Sequence, residues 1–495
     1  MSIMQAMHAG SSALTNYGNA MTVIGNNLAN ANTTGFKNSR STFEDVLIQT
    51  VGTNGTGGAM QMGTGVGLAA VDQNMNQGSL TSSSNVTDLA IDGKGFFEVR
   101  DPKPGAALAG GVSGVTGSKQ AIFYTRAGDF LQDETGKLVT NNGLVLQGWE
   151  LDIDGVRSGK TGDVNLATYQ TSSPKPTTKV DVGLNLDANE AVITDAAHAT
   201  YDPTDPASYN HSTTVRVYDS MGQGHNVELQ FKKTGSNTWE WHAVAPSTEL
   251  ATAHRTAGKT LTAVDTTAGN VATAAGTYTA GTLVFNNMGQ LDTEGSTPIK
   301  FNFLSGDNTA APQEILFNFG AAKTNDSTND YTMTKSTDLL YQTGAATADT
   351  GNSGIDGTVQ LATDFATLKL SQNGYSTGYL DTLSIGSDGR VVGSYTNGQT
   401  RPLYQIALVD FDNEQGLSQV GSNLFAETRE SGLPRIGEPN SGRLGKVSSY
   451  TLEQSNVDMS GEFVTMITVQ RAFQANSRIV SVTDGMLEEL ISLKR

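Results

Sequence analysis

The residues best suited to chemistry in this chain fall into three small constellations, and none keeps the spacing its chemistry needs. Gly155-Val156-Arg157-Ser158-Gly159-Lys160-Thr161 ends like a phosphate-cradling loop, in which backbone N–H groups and a lysine hold phosphate oxygens. Such a loop needs its first glycine five positions before Gly159, where this chain has Asp154. The residues after Thr161 have strand character, so no helix N-terminus would face a phosphate. Asp152 and Asp154 open like a calcium loop, but an oxygen ligand is required where Val156 stands and a glycine where Arg157 stands. A tight turn between strands is the better reading of both.

The histidines His8, His198, His211, His225, His242 and His254 form no metal-binding pair at helical or strand spacing. Solvated or packing roles suit them better. No GxSxG elbow links serine, aspartate and histidine into a hydrolase pattern. The chain has no cysteine, which excludes disulfides, thiolate metal sites and thiol nucleophiles. No catalytic, cofactor-binding or metal-ligating residue is therefore expected, and the chain reads as non-enzymatic.

Composition narrows the partners. Of 495 residues, 31 are Lys or Arg and 49 Asp or Glu, a net charge of −18 that repels nucleic acid and anionic lipid. Only 16% are charged, while Gly, Thr, Ser and Asn abound, as in turn-rich β domains. No stretch approaches the length of apolar chain that spans a bilayer, so no membrane insertion is expected. No Lys or Arg precedes Lys37, so the start lacks the basic region of a cleaved secretory signal.

The elements that would position any function stand at the two ends. Ile3, Met7, Gly10, Leu14, Tyr17, Met21, Ile24 and Leu28 recur at alternating steps of four and three, the signature of a coiled-coil seam. A helix over residues 3–29 would be about 40 Å long. At the other end Met459, Phe463, Met466, Gln470, Phe473, Ser477, Val480, Asp484, Leu487 and Ile491 keep the same spacing. Ser455 and Asp458 stand as a capping pair at its start, and Lys494 and Arg495 suit its C-terminal dipole. The polar positions Gln470, Ser477 and Asp484 weaken the seam but fix its register. Either helix alone reads as an ordinary amphipathic cover over a core. Two of them, flanking a β-rich middle, favour pairing with each other or with neighbouring copies.

Between the helices the texture changes. Residues 37–84 read as an extended connector, rich in Gly, Asn, Ser, Thr and Gln over 52–84. Short alternating strands come next, with turns at Asp92-Gly93, Asn142-Gly143, Asp388-Gly389 and Asn397-Gly398. Residues 214–244 read as a three-stranded meander. From about 245 to 365 Thr, Ala, Gly and Asp dominate, as in a surface-variable outer subdomain.

Asn26-Asn27-Leu28-Ala29-Asn30-Ala31-Asn32-Thr33-Thr34-Gly35-Phe36-Lys37 resembles the N-terminal motif of the bacterial flagellar rod and hook axial proteins. Physically it suits a helix end, where Asn and Gly tolerate left-handed backbone and Phe36 folds back onto apolar surface. Residues 87–99, 124–149, 395–411 and 452–477 resemble the same family, the last with Asn456-Val457-Asp458 and Gln470-Arg471-Ala472 at its centre. The motif residues the resemblance marks are Asn26, Asn27, Leu28, Asn30, Gly35, Phe36, Asn456, Val457, Asp458, Gln470 and Arg471. Over 200 residues separate Trp149 from the returning segment at Gly374, which is similar to the hook branch rather than the distal-rod branch.

The resemblance implies a multidomain α+β protein, mainly β, with nested domains. Residues 1–36 and 455–495 would form a coiled-coil inner domain, 85–149 and 370–454 an inner β domain, and 150–369 an outer β domain. It further implies a structural subunit of the flagellar hook, a flexible curved tube transmitting torque from rod to filament. The implied partners are further copies of itself, the distal rod protein, the hook cap, the hook–filament junction protein and the flagellar type III export apparatus, with a final location outside the cell. A distal-rod-type subunit is the nearer alternative, disfavoured by the long insertion. A secreted β-rich adhesin or enzyme is the more distant one, disfavoured by the paired heptads.

Overall fold

The computed structural model describes residues 3–46, 48–53, 59–102, 121–195, 198, 201–250, 261–263, 281–296, 298–303, 313–320 and 357–493. The chain divides into two units. The first comprises Met1–Gln170, Leu380–Tyr395 and Gln399–Arg495, and the second Thr171–Tyr379 with Thr396–Gly398.

In the first unit, helix α1 spans Ile3–Ala29 and helix α2 spans Met459–Leu493. The α1 sequence contains no proline, and the helix ends where Asn30 to Gly35 turn the chain, Gly35 at φ 70°. Asp458 starts α2: its carboxylate accepts the Ser460 N–H at 3.0 Å and its carbonyl accepts the Glu462 N–H, as at a standard N-cap.

The β part of this unit interleaves the two halves of the chain. Val145–Leu151 lies between Thr400–Ile406 and Phe96–Arg100, and the latter also pairs with Leu408–Asp410. Leu89–Asp92 pairs with Lys446–Ser449, and Leu80–Ser82 with Thr451–Glu453. One apolar core joins Leu89, Ile91, Phe97, Val99, Phe130 and Leu146 to Leu403, Ile406, Leu408 and Val447. At the edge of this unit Leu380 N–H donates to Gln170 O at 2.8 Å.

The expected connector is not simply extended. Ser39–Asp45 pairs antiparallel with Val66–Gln73, and Ile48–Thr53 with Ala59–Gly63. Their apolar residues, such as Ile48 and Val51 or Leu68, Ala69, Ala70 and Val71, do not keep a strict period of two, so hydropathy gives no clear strand signal. Phe43 on the first hairpin meets Tyr17 of α1 edge-on at 5.7 Å. Asn16 Nδ2 donates to Val66 O at 2.7 Å, which ties the other strand to the same helix.

The second unit is two sheets around one core. In one sheet Lys179–Asp187 pairs in parallel with Gln313–Asn318 and Val359–Leu361, and antiparallel with Ala366–Gln372. The other is the meander His211–Tyr218, Gly224–Gly235 and Thr238–Pro246, continued by Gly281–Phe285 and Leu291–Ser296. Val180, Val182 and Leu184 from the first meet Phe231, Trp239 and Trp241 from the second, with Phe317 and Phe319 beside them.

The outer boundaries differ from the expected 150 and 369. Arg157–Asp163 still pairs with Val145–Leu151, so the second unit begins only at Thr171 and runs to Tyr379. The described parts of 245–365 join the two sheets just given rather than a separate subdomain; the rest lies outside the described residues. Residues 152–156 form the turn that their spacing implies, Gly155 N–H donating to Asp152 O at 2.9 Å, and Arg157–Asp163 is a strand.

Candidate assembly surface

The two terminal helices pack along each other, and small side chains set how close they come. On α1 the residues buried in the chain are Gly10, Ala13, Ala20, Ile24 and Asn27. A Cβ at Gly10 would stand 2.9 Å from Val480 Cγ2, so only glycine permits this approach. Lower down, Ala20 and Ile24 enclose Val469 of α2, with Tyr17, Met21, Phe43 and Met466 around them.

Below the apolar contact the helices are joined by amides. Asn27, 1% exposed, donates to Ser39 O at 2.7 Å and to Glu462 Oε1 of α2 at 3.0 Å, while its own Oδ1 accepts the Ser39 N–H at 2.9 Å. Asn456, just before α2, ties the start of that helix to the segments that follow α1. Its Oδ1 accepts the Asn38 N–H, and its Nδ2 donates to Asn74 O and Asn76 O at 2.8 and 3.0 Å. Each amide fills both donor and acceptor roles, a pairing a carboxylate or aliphatic side chain could not make.

Behind these amides lies a buried ionic cluster. The Glu453 side chain is fully buried and accepts from Lys37 Nζ at 2.6 Å, from Arg126 NH1 at 3.2 Å and from the Gly78 N–H at 2.8 Å. Lys37 Nζ also donates to Asn76 O, and Arg126 to Gly93 O, with its guanidinium 5.3 Å from the centre of the Phe96 ring. Burial pushes the Lys37 ammonium below its ordinary pKa; Glu453 opposes the fall and Arg126 adds to it. Gly35 closes the corner: its N–H donates to Glu453 O at 2.8 Å, and a Cβ there would stand 2.6 Å from Ala127 N.

The rest of α2 faces outward. Phe463, Val464, Ile467, Ile479, Val482 and Met486 are 48–65% exposed, a density of large apolar groups unusual on a free surface.

The seam read from the sequence divides between buried and open positions. Ile3 opens α1. Ile24 is buried, and Met7, Leu14, Tyr17, Met21 and Leu28 are half-buried. On α2, Met466, Val480 and Leu487 are half-buried, whereas Met459, Phe463, Gln470, Phe473, Ser477, Asp484 and Ile491 are exposed. The line of α1 that α2 covers thus runs through Ala13, Ala20 and Asn27, one residue before Leu14, Met21 and Leu28. Two closely packed helices put their smallest side chains on the contact line, while a heptad reading looks for the largest. Among the motif residues, Asn27, Gly35 and Phe36 are buried, Val457 is half-buried, and Asn30 Nδ2 donates back to Asn26 O. Gln470 and Arg471 are exposed.

Lys37, Arg126 and Glu453 do not stand out by spacing. Each ends or sits within a stretch that resembles the axial family, but a lone charge among apolar neighbours gives no periodic signal.

Among the described residues no group of three or more histidine or acidic side chains is set to hold a metal. His211, His225 and His242 instead stack on Phe365, Phe303 and Tyr201 with centroids 4.5, 4.1 and 3.7 Å apart. His198 sits between Asp195 and Asp205, His8 is exposed on α1, and His254 lies outside the described residues. No helix among the described residues is long and apolar enough to cross a membrane.

Comparison with known proteins places these features. The flagella basal body rod protein family matches residues 7–37, the flagellar basal body protein FlaE D2 domain residues 185–375, and the flagellar basal body rod FlgEFG protein C-terminal family residues 448–493. The chain is 31% identical over 514 residues to the flagellar hook protein FlgE of Treponema pallidum, covering all of both chains. It is 29% identical over 496 residues to that of Salmonella typhimurium, again covering all of both. A crystal structure of Helicobacter pylori flagellar hook protein FlgE2 aligns with 76% of this chain and all of its own, at 15% identity and a TM-score of 0.44. Helices paired from the two ends, a β unit interleaving both halves and a relative matched from end to end make one case: this chain belongs to the flagellar hook protein family and is a structural subunit of the bacterial hook.

Proposed function

We propose that this chain builds a helical homopolymer through its paired terminal helices, and that the polymer is the curved tube that carries torque from rod to filament. The outward face of α2 carries the reading. Its large apolar residues have no cover in a single chain, and a neighbour that covers them gains about 25 cal/mol per Å² of apolar surface removed from water.

Bending fits the same helices. Each row of subunits in a rotating curved tube must shorten and lengthen every turn, and the heptad lines carry Met7, Met21, Met459 and Met466, whose unbranched thioethers repack at low cost. The reading also assigns partners: the distal rod protein at one end, the hook–filament junction protein at the other, the hook cap during growth, and the flagellar type III export apparatus delivering subunits to a tip outside the cell.

Purified chain, seeded with fragments of isolated hooks, should pellet above a critical concentration and appear as curved tubes by electron microscopy. Straight tubes would assign a rod-type role instead. A chain that stays monomeric at every concentration overturns the reading.

A further inference from the structure

We infer that α2 carries two separate docking strips, each for a different neighbouring copy of this chain; the inference rests on the assembly reading above and adds how many neighbours one helix serves. The line of α2 turned toward α1 runs through Glu462, Val469, Asn476 and Thr483, at an even spacing of one heptad. At about 100° per residue, Met459, Phe463 and Ile467 lie roughly 60–160° to one side of that line. Ile479, Val482 and Met486 lie roughly 40–100° to the other. All six are 48–63% exposed.

The two strips do not run into each other. Beyond Ile467 the first side is mostly polar, with Gln470, Gln474 and Ser477. Of its large apolar residues there only Phe473, near the covered line, and Ile491, at the far end, are exposed, while the second side holds only Val464 in its first half. Their centres are about 28 Å apart along the axis at 1.5 Å per residue. A helix about 10 Å wide laid against one side leaves the other open, so one neighbouring helix cannot cover both.

The occupant is a second copy on each side. Both strips continue the helix pair whose inner line α1 already covers, and the hook family is self-polymerising. Helical polymers grow through head-to-tail contacts in which unlike patches meet, so every subunit must offer at least two that are not equivalent. Two unlike strips on opposite sides of one helix supply them.

The test uses full-length chain carrying Phe463→Ser with Ile467→Ser, Val482→Ser with Met486→Ser, or all four. The substituted side chains are exposed, so circular dichroism of the monomer should not change. Each pair alone should raise the critical concentration for tubes at least about ten-fold, the loss of a small apolar anchor, yet leave short linear oligomers in sedimentation velocity. All four together should give monomer only. If either pair alone gives monomer only, both strips serve one neighbour and the inference is wrong; tubes at wild-type concentration from either pair also overturn it. Wild-type chain that never polymerises fails the assembly reading itself, whereas wild-type tubes beside either of those results fail only the two-strip inference.

Discussion

Glu453 and Lys37 lie 416 positions apart in the chain and share an ion pair of 2.6 Å with almost no exposure to solvent. A second cation, Arg126, reaches the other oxygen of the same carboxylate. One carboxylate thus serves as the shared partner of two buried cations, which makes the three residues unequal. Glu453→Gln strands both cations and should destabilise the first unit by about 3–5 kcal/mol. Lys37→Met leaves Glu453 paired with Arg126 and should cost clearly less. Urea unfolding followed by limited proteolysis of the helix-bearing unit reads the difference; equal losses would mean that Glu453 acts through Lys37 alone and that its pair with Arg126 contributes nothing.

The close approach of the helices makes Gly10 the least tolerant glycine on α1. Gly10→Val pushes against Val480 and should separate the pair at a cost of about 1–3 kcal/mol. Gly18 and Gly25 have open space where a Cβ would go. Gly18→Ala should therefore raise monomer helix stability by about 1 kcal/mol, the propensity difference alone. Far-UV circular dichroism during thermal unfolding separates the two cases.

In the second unit His242 is stacked on Tyr201 with neither ring nitrogen hydrogen-bonded. Burial pushes its pKa down to about 3, and Lys232 adds to the fall. The unfolded chain takes up this proton near the ordinary value of 6.5, so the stability is fully present above that pH and is lost as pH falls through 6.5 toward 3. From pH 7 to pH 5 the loss should be about 2 kcal/mol. Because Trp239 and Trp241 lie in this core, tryptophan fluorescence during denaturation follows it. His242→Phe should flatten the pH dependence between 7 and 5, and an unchanged slope would place its origin elsewhere.

If methionines and polar positions such as Gln470 make the seam compliant, replacing one of each by leucine should stiffen the polymer. Met21→Leu with Gln470→Leu is expected to raise the melting temperature of assembled tubes and reduce their curvature. Microscopy and swimming speed are the two readouts. A tube that melts higher yet bends as before would place compliance in the second unit.

The sequence made some of this legible and hid the rest for definite reasons. Both helices were readable from their heptads because apolar side chains recur over many turns, and the meander was readable from its Val, Phe and Trp alternation. The pairings of Ser39–Asp45 with Val66–Gln73 and of Ile48–Thr53 with Ala59–Gly63 were not, since their apolar residues, Leu68, Ala69, Ala70 and Val71 among them, break the period of two that marks a strand. The contact line through Ala13, Ala20 and Asn27 escaped because closeness, not size, selects the residues there. The Glu453 cluster escaped because three charges from distant stretches meet only in the fold, and no spacing along the chain encodes their meeting.

Gln170 and Leu380, hydrogen-bonded neighbours at the edge of the first unit, are where the chain leaves for the long insertion and comes back. Because the two ends need bridge only one strand spacing, the sheet that holds them makes no demand on what lies between. This is a natural splice point. Through descent the stretch from 171 to 379 is free to lengthen, shorten or be exchanged while the helix-bearing frame keeps its register. Length differences among relatives should accordingly collect there and leave the paired ends of the chain nearly constant.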